Sequence, residues 1–380
     1  MKQTIYMDYA AATSLDPKVL AAMQPYLQQQ FYNPSALYLA SQAVAKDLSI
    51  ARAKVANILG AKPTEIIFTA GGTEANNLAI NGIAQQYPEA NIITCAIEHD
   101  SVLAPARQYD HKIVTVDEQG RIHLNDLEQK IDDKTVLVSI MYANNEVGTI
   151  QPIRDVAKIV NNERAQRVKS GNKLPLLLHT DACQAANYLD LHVHRLGVDL
   201  MTLNGGKIYG PKQSGVLFKA AHVQLKPQIL GGGQEFGIRS GTENVAGSIG
   251  FATALDSVQS KHNEEVSRLQ TIQQEFITEL QKHVPGVIIN GSTKYRLPNN
   301  VHITLLGQDN ERLLMSLDEL GIMCATGSAC SASKDEASHV LEALGLSEKS
   351  ARSSLRFTMG QQTTIEDVRQ CVKSLQKIVK

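Results

Sequence analysis

Side chains suited to chemistry fall in five polar patches, each just after an apolar run: Gly71-Gly72-Thr73-Glu74, Glu98-His99, Asn144-Asn145-Glu146, Asp181-Ala182-Cys183-Gln184 and Asn204-Gly205-Gly206-Lys207. Asp181 follows LPLLLH and Lys207, 26 positions later, follows VDLMTL, so a carboxylate and an amine end what read as neighbouring strands. Gly71-Gly72-Thr73-Glu74 separates a strand-like run from a helix-like one, where unpaired N–H groups and the helix dipole favour an anion such as a phosphate. A tight turn with Thr73 as the helix N-cap is the plainer alternative. His99 offers a flat ring that also moves protons near neutral pH, or simply a hydrogen-bonded strand end. Arg356, in SSLRFT, is of the type that grips a carboxylate through two hydrogen bonds, and a surface ion pair is its default role.

Cys330 sits in ATGSACSAS, a run of small residues that reads as a mobile loop with an accessible, potentially nucleophilic thiol. Cys95, Cys183 and Cys324 lie in or beside apolar runs and read as small core residues, while Cys371 falls on a terminal helix. Cys324 and Cys330 have no neighbouring histidine spacing of the kind a metal needs, and no metal is expected.

The elements that must hold these patches follow from periodicity. EIIFTAGG, NIITCAIEH, KIVTVD, TVLVSIMYANNE, KLPLLLHTDACQ, VDLMTLNGGK and SGVLFKA alternate with helical stretches, the pattern of βαβ units in a mostly parallel sheet. Their lack of strict alternation predicts strands buried on both faces. Ligands of such α/β sheets bind at the carboxyl ends of the strands, where the patches lie. Around residue 255 the texture changes to an amphipathic helix with Val266, Leu269, Ile272, Phe276 and Leu280 on one face. GVIING, NNVHITLL, a helix near ERLLMSLDELG and a last helix after Thr364 then suit a smaller α+β domain. The expected division is a large domain over residues 14–254 and a small one built from residues 1–13 and 255–380, the latter carrying the Cys330 loop.

Composition removes several classes of function. With 37 Lys plus Arg against 38 Asp plus Glu in 380 residues, the chain has no basic excess to attract nucleic acid. No apolar run approaches the roughly 18 to 20 residues that span a bilayer, so no membrane association is expected. The start, MKQTIYMDYAAATSLD, lacks a secretory apolar segment, and five cysteines without regular spacing fit a reducing, cytoplasmic setting.

The expected phosphate does not belong to ATP or NAD. Met201 stands where a Walker loop ending at Lys207 needs glycine, and Gly231-Gly232-Gly233-Gln234-Glu235-Phe236-Gly237 lacks G-x-G-x-x-G spacing. Pyridoxal 5'-phosphate (PLP) asks for a lysine to form a Schiff base, an aspartate to keep the pyridine nitrogen protonated, an anion site and a flat group on the ring. All four are present at the strand ends.

Eleven motifs in order, IYMDYAAAT, NPSA, FTAGGTEANNLAI, IEHDSVL, SIMYANNEVGTIQPI, HTDACQ, KIYGPKQSG, GGGQE, RSGTENV, ATGSACSAS and SSLRFTMG, resemble the cysteine desulfurases of the NifS/IscS group, in the class V branch of fold type I PLP enzymes. The resemblance implies Lys207 as the Schiff-base lysine, Asp181 on the pyridine nitrogen, Gln184 on the ring hydroxyl and His99 as ring stacker and proton carrier. It implies Gly72, Thr73 and Asn204 near the phosphate, Thr242 reaching that phosphate from the second subunit of a homodimer, and Asn145 near the ring. Arg356 with Asn145 would fix the carboxylate of L-cysteine, and Cys330 would take the sulfur as a persulfide and pass it to an acceptor protein for iron–sulfur assembly, thio-cofactor synthesis or tRNA thiolation. The other readings are a class V lyase or aminotransferase such as a selenocysteine lyase, in which Cys330 is dispensable, and a catalytically degenerate sulfur-relay protein.

The sequence departs from the family pattern at three places. The family's S-G-H-K is Asn204-Gly205-Gly206-Lys207, Asn33-Pro34-Ser35-Ala36-Leu37-Tyr38 lacks the family's histidine, and Phe236 replaces an arginine. An uncompensated loss of the imidazole at Gly206 weakens PLP by roughly tens-fold.

Overall fold

Short runs of Ile, Leu and Val too brief for helices pair into sheets. The computed structural model describes residues 4–327 and 337–379. After β1 (Ile5–Tyr6) come β2 (Ile66–Thr69), β3 (Asn91–Cys95), β4 (His111–Val114), β5 (Thr135–Ser139), β6 (Leu177–Asp181), β7 (Leu200–Asn204) and β8 (Gly215–Lys219). β2 to β8 form one seven-stranded sheet in the order β2-β8-β7-β6-β5-β3-β4. β8 runs antiparallel to both β2 and β7, and every other pair is parallel. The carboxyl ends of β2, β3, β5, β6 and β7 therefore share one edge of the sheet.

The two-residue period of the strands divides their side chains between two cores. Ile93, Val138, Leu178, Met201 and Phe218 face one side with Phe251 and Leu255 of helix Val245–Ser260. Ile92, Leu137, Leu177, Leu200 and Leu217 face the other against Leu78, Ala79 and Ile83 of helix Gly72–Ala84.

A further core lies on the remaining strands, β9 (Val287–Asn290), β10 (Asn300–Leu305), β11 (Ile322–Met323) and β12 (Ser354–Thr358). β12, β10 and β9 form an antiparallel sheet, while β11 pairs in parallel with β1. The amphipathic stretch that begins near residue 255 is two helices meeting at Lys261. The first stays with the large sheet, and the second, His262–His283, buries Leu269, Ile272, Phe276 and Leu280 on the antiparallel one. At the other end of the chain Ile5 and Met7 join this last core while Tyr9 joins that of the large sheet. Among the described residues no helix is long and apolar enough to cross a membrane, and no group of His, Cys, Asp and Glu side chains is arranged to hold a metal.

One buried ion pair sets the segment that carries Thr242. Helix Leu39–Leu59 turns Val44, Leu48, Val55 and Leu59 inward, and Arg52 with them. Arg52 donates to both carboxylate oxygens of Glu235 at 2.6 and 2.7 Å, and Glu235 also accepts from Phe68 N at 2.9 Å. The guanidinium lies 4.8 Å from the Phe68 ring centre and 5.0 Å from that of Phe236. Phe236 thus meets the cation from above where the family pattern has a second arginine. Arg52→Met strands the Glu235 carboxylate in the interior and should cost about 3–5 kcal/mol in urea unfolding, most of it recovered by Arg52→Met combined with Glu235→Leu. A single variant losing under about 1 kcal/mol would show that the carboxylate is not confined there.

Candidate active site

The shared edge of the large sheet opens on a cavity of about 160 Å³, lined by Gly72, Thr73, His99, Asn145, Asp181, Gln184, Asn204, Lys207 and Arg356, with Asn76 and Ser101. Residues far apart in sequence meet there because five strands end on one side. Thr242 is not part of this wall. It is exposed and lines a separate cavity of about 220 Å³ with Gln213, Ser214 and Glu235.

Asp181 is the last residue of β6 and only 7% exposed. Its Oδ1 accepts from Cys183 N at 2.9 Å and its Oδ2 from Asn76 Nδ2 at 2.7 Å. Lys207 closes the 3-10 turn Gly205–Lys207 that follows β7, and its Nζ donates to the carbonyls of Ala10 and Ala11 at 2.8 and 2.7 Å. Gln184 Nε2 donates to the same Ala10 carbonyl at 3.0 Å. The amino-terminal segment is therefore a wall of the site, a role that small apolar residues give no sign of in sequence.

His99 caps helix Asp100–Ala106, its Nδ1 accepting from Ser101 N at 3.0 Å and lying 2.8 Å from Ser101 Oγ. Directly before it, Glu98 is wholly buried, with Oε1 accepting from Met141 N at 2.6 Å and Oε2 without a partner. Burial pushes its carboxyl well above the usual range, and the charge of Asp181 adds to the rise against the opposing Met141 N–H. Beneath Asp181, His179 is held between Ser139 Oγ at 2.8 Å and Thr202 Oγ1 at 3.0 Å, and burial pushes it down to about 4. This neutral ring ties β5, β6 and β7 together under the cavity.

One expectation changes at the phosphate end. Helix Gly72–Ala84 is capped by Gly71 and not by Thr73, because Gly71 takes φ 132°, a conformation that only glycine adopts without strain. Thr73 sits in the first turn, whose N–H groups have no partner within the helix. A Cβ at Gly72 would lie 2.9 Å from Cys183 Sγ, so only bare backbone fits against that wall. Asn204 spends its Oδ1 on Gly206 N at 2.9 Å, leaving the amide nitrogen as its remaining donor. At Gly206 a Cβ would meet Asn204 Oδ1 at 3.4 Å and Lys212 Cγ at 3.7 Å, ordinary contacts that leave a side chain room.

Arg356, on β12, is buried to 1% exposure and is no surface pair. Nη2 donates to Asp8 Oδ1 at 2.7 Å and Nη1 to the Asn145 carbonyl at 3.0 Å, while Nε has no protein partner. Cys330 lies outside the described residues, but the chain on either side of it is anchored. Ala325 and Arg356 exchange backbone hydrogen bonds at 3.1 and 2.7 Å, and beyond the gap Ser338 Oγ donates to Glu146 Oε2 at 2.5 Å while His339 Nε2 lies 3.0 Å from the Glu98 carbonyl.

The donor set fits PLP: an amine, a buried carboxylate, a side-chain amide and an imidazole around one cavity, with a helix N-terminus at its edge. Arg356 Nε and Asn76 Oδ1, both buried and unpaired, are polar atoms that a bound molecule can satisfy. Asn76 and Ser101 were not legible as site residues. Their only signal is that Asn76 falls on the buried stripe of its helix beside Ala75, Leu78 and Ala79.

Comparison with known proteins identifies the family. Residues 5–371 match the family model "Aminotransferase class-V". The chain is 39% identical to cysteine desulfurase IscS of Dictyoglomus turgidum over 386 residues, covering 100% of this chain and 95% of that protein. A NifS-like protein superposes with a TM-score of 0.91 at 31% identity, covering 99% of each chain. SspA in complex with cysteine superposes with a TM-score of 0.81 at 32% identity, covering 94% of this chain and 99% of that one. Sequence match and cavity together make the chain a member of the class V aminotransferase family of PLP-dependent enzymes.

Proposed function

We propose that the chain is a cysteine desulfurase that converts L-cysteine to L-alanine and leaves the sulfur as a persulfide on Cys330. The observation that carries this reading is the anchoring around Cys330: one end of its segment pairs with Arg356 and the other with Glu98 and Glu146, beside the cavity. The four described cysteines support it by their unsuitability. Burial pushes the thiols of Cys95, Cys183 and Cys371 far up and that of Cys324 up to about 12, so none is a ready thiolate.

Bound PLP supplies an electron sink for a negative charge at the substrate Cα. Lys207 Nζ would anchor it covalently and, once free, would take the proton from the substrate Cα. Asp181 would hold a proton on the pyridine nitrogen, His99 would lie against the ring, and Gln184 would offer its amide to the ring hydroxyl. Gly72, Thr73 and Asn204 offer donors to the phosphate. Arg356 Nε and Asn145 orient the substrate carboxylate. The Cys330 thiolate would then attack the substrate Sγ: an S–S bond forms and the Cβ–Sγ bond breaks with its electron pair passing to Cβ, which takes up a proton, while the proton taken by Lys207 returns to Cα to give alanine.

The active form in this reading is a cytoplasmic homodimer, with Thr242 of the partner subunit completing the phosphate site. Phe31 at 69% and Leu37 at 90% exposure support an apolar face for a second copy. The segment that bears Cys330 belongs to the small domain of residues 1–13 and 255–380 and presents the persulfide to an acceptor protein.

Alanine released from L-cysteine under a reductant tests the reading. The parent should turn over and Cys330→Ala should not, whereas equal rates would favour a lyase that bypasses the thiol. Lys207→Ala should lose the visible absorbance of the bound cofactor, and its retention would remove the lysine assignment. Gly206→His, for which there is room, should tighten PLP roughly tenfold in titrations of the apoenzyme if nothing replaces the imidazole. Unchanged affinity would mean that another group already holds the phosphate.

A further inference from the structure

Asp181 and His99 are joined by an unbroken line of side-chain hydrogen bonds. Asn76 Nδ2 donates to Asp181 Oδ2 at 2.7 Å and to Ser101 Oγ at 2.9 Å, and Ser101 Oγ lies 2.8 Å from His99 Nδ1. The direction of each bond follows from chemistry. A carboxylate only accepts, so the nitrogen of the Asn76 amide must face Asp181, and its two hydrogens are then both used. Ser101 Oγ, accepting from Asn76, has its own hydrogen to give to His99 Nδ1. That nitrogen also accepts the Ser101 backbone N–H at 3.0 Å, so two donors converge on it and in the neutral ring the proton sits on Nε2.

We propose that Asn76 and Ser101 are positioning residues, which fix the orientation and tautomer of the ring-stacking His99 and couple it to the Asp181 carboxylate. Asn76 is 1% exposed, and with Nδ2 spent on these two bonds its Oδ1 is the atom left for a bound molecule to satisfy. Neither residue moves a proton to or from substrate. Their effect is to specify where on His99 the proton resides before substrate arrives, and to keep the imidazole in a constant relation to the carboxylate that holds the pyridine nitrogen.

The proposal rests on the assignment of Asp181 and His99 above, and its test separates the two. In enzyme labelled with 15N-histidine, with and without PLP, the His99 signal is identified by its loss in His99→Gln. The expected result is an unprotonated Nδ1 in both forms, and a protonated Nδ1 would overturn the proposal. Ser101→Ala should lower kcat for alanine release roughly three- to tenfold at unchanged KM, and Ser101→Thr, which keeps the hydroxyl, should restore it. Adding Ser101→Ala to Asn76→Ala should cost little beyond Asn76→Ala alone. Additive losses, or no recovery with threonine, would show independent packing roles. If instead Lys207→Ala keeps the visible band, the site assignment fails while the tautomer of His99 still stands as measured.

Discussion

A charged carboxylate buried at the end of a central strand is the constraint around which the site is built. Asp181 lies where water is largely excluded, so donors to its oxygens have to come from the protein. They come from Cys183 N on its own turn and from Asn76 on the neighbouring helix. Glu98 nearby has its carboxyl pushed up chiefly by burial, with the Asp181 carboxylate adding to the rise. His179 below is pushed down by burial and stays neutral.

Parallel pairing supplies the geometry. Because β3, β5, β6 and β7 run alike, and β2 shares their sense through the antiparallel β8, polar turns scattered over more than a hundred residues fall on one edge. The antiparallel sheet contributes from outside this edge. Its β12 brings Arg356 to the cavity with Asp8 already bound, so the guanidinium is fixed in place while its Nε pairs with nothing among the described residues.

Much of this could be read from the residues alone, and the reasons are physical. Six of the seven apolar runs were legible as buried strands because a sheet covered on both faces needs no alternation, whereas β4 at the sheet edge buries only Val114; Asp181, Lys207 and His99 each had an ordinary structural reading and stood out only because the roles PLP asks for fell together at strand ends. What stayed hidden depends on the backbone or on burial. The carbonyls of Ala10 and Ala11 that hold Lys207 carry no side-chain signature. Asn76 and Ser101 look like ordinary polar helix residues until the helix is placed against β6. The break at Lys261 coincides with a polar run from Gln259 to Glu265 that carries no glycine or proline to mark a helix end, and the Gly71 cap depends on a φ that sequence does not display.

The path of the first dozen residues governs when the site can exist at all. Ile5 pairs with Ile322, Asp8 binds Arg356, and Ala10 and Ala11 hold Lys207, so the beginning of the chain is placed by segments near its end. A growing polypeptide that has already made the large sheet lacks both β11 and β12 to receive its amino-terminal strand. Contacts of such long sequence separation form late, since their loops must be closed before they contribute. The Lys207 amine consequently gains the two carbonyls that hold it only after β11 and β12 have been made, and a chain that has not yet reached them lacks that wall of the cavity.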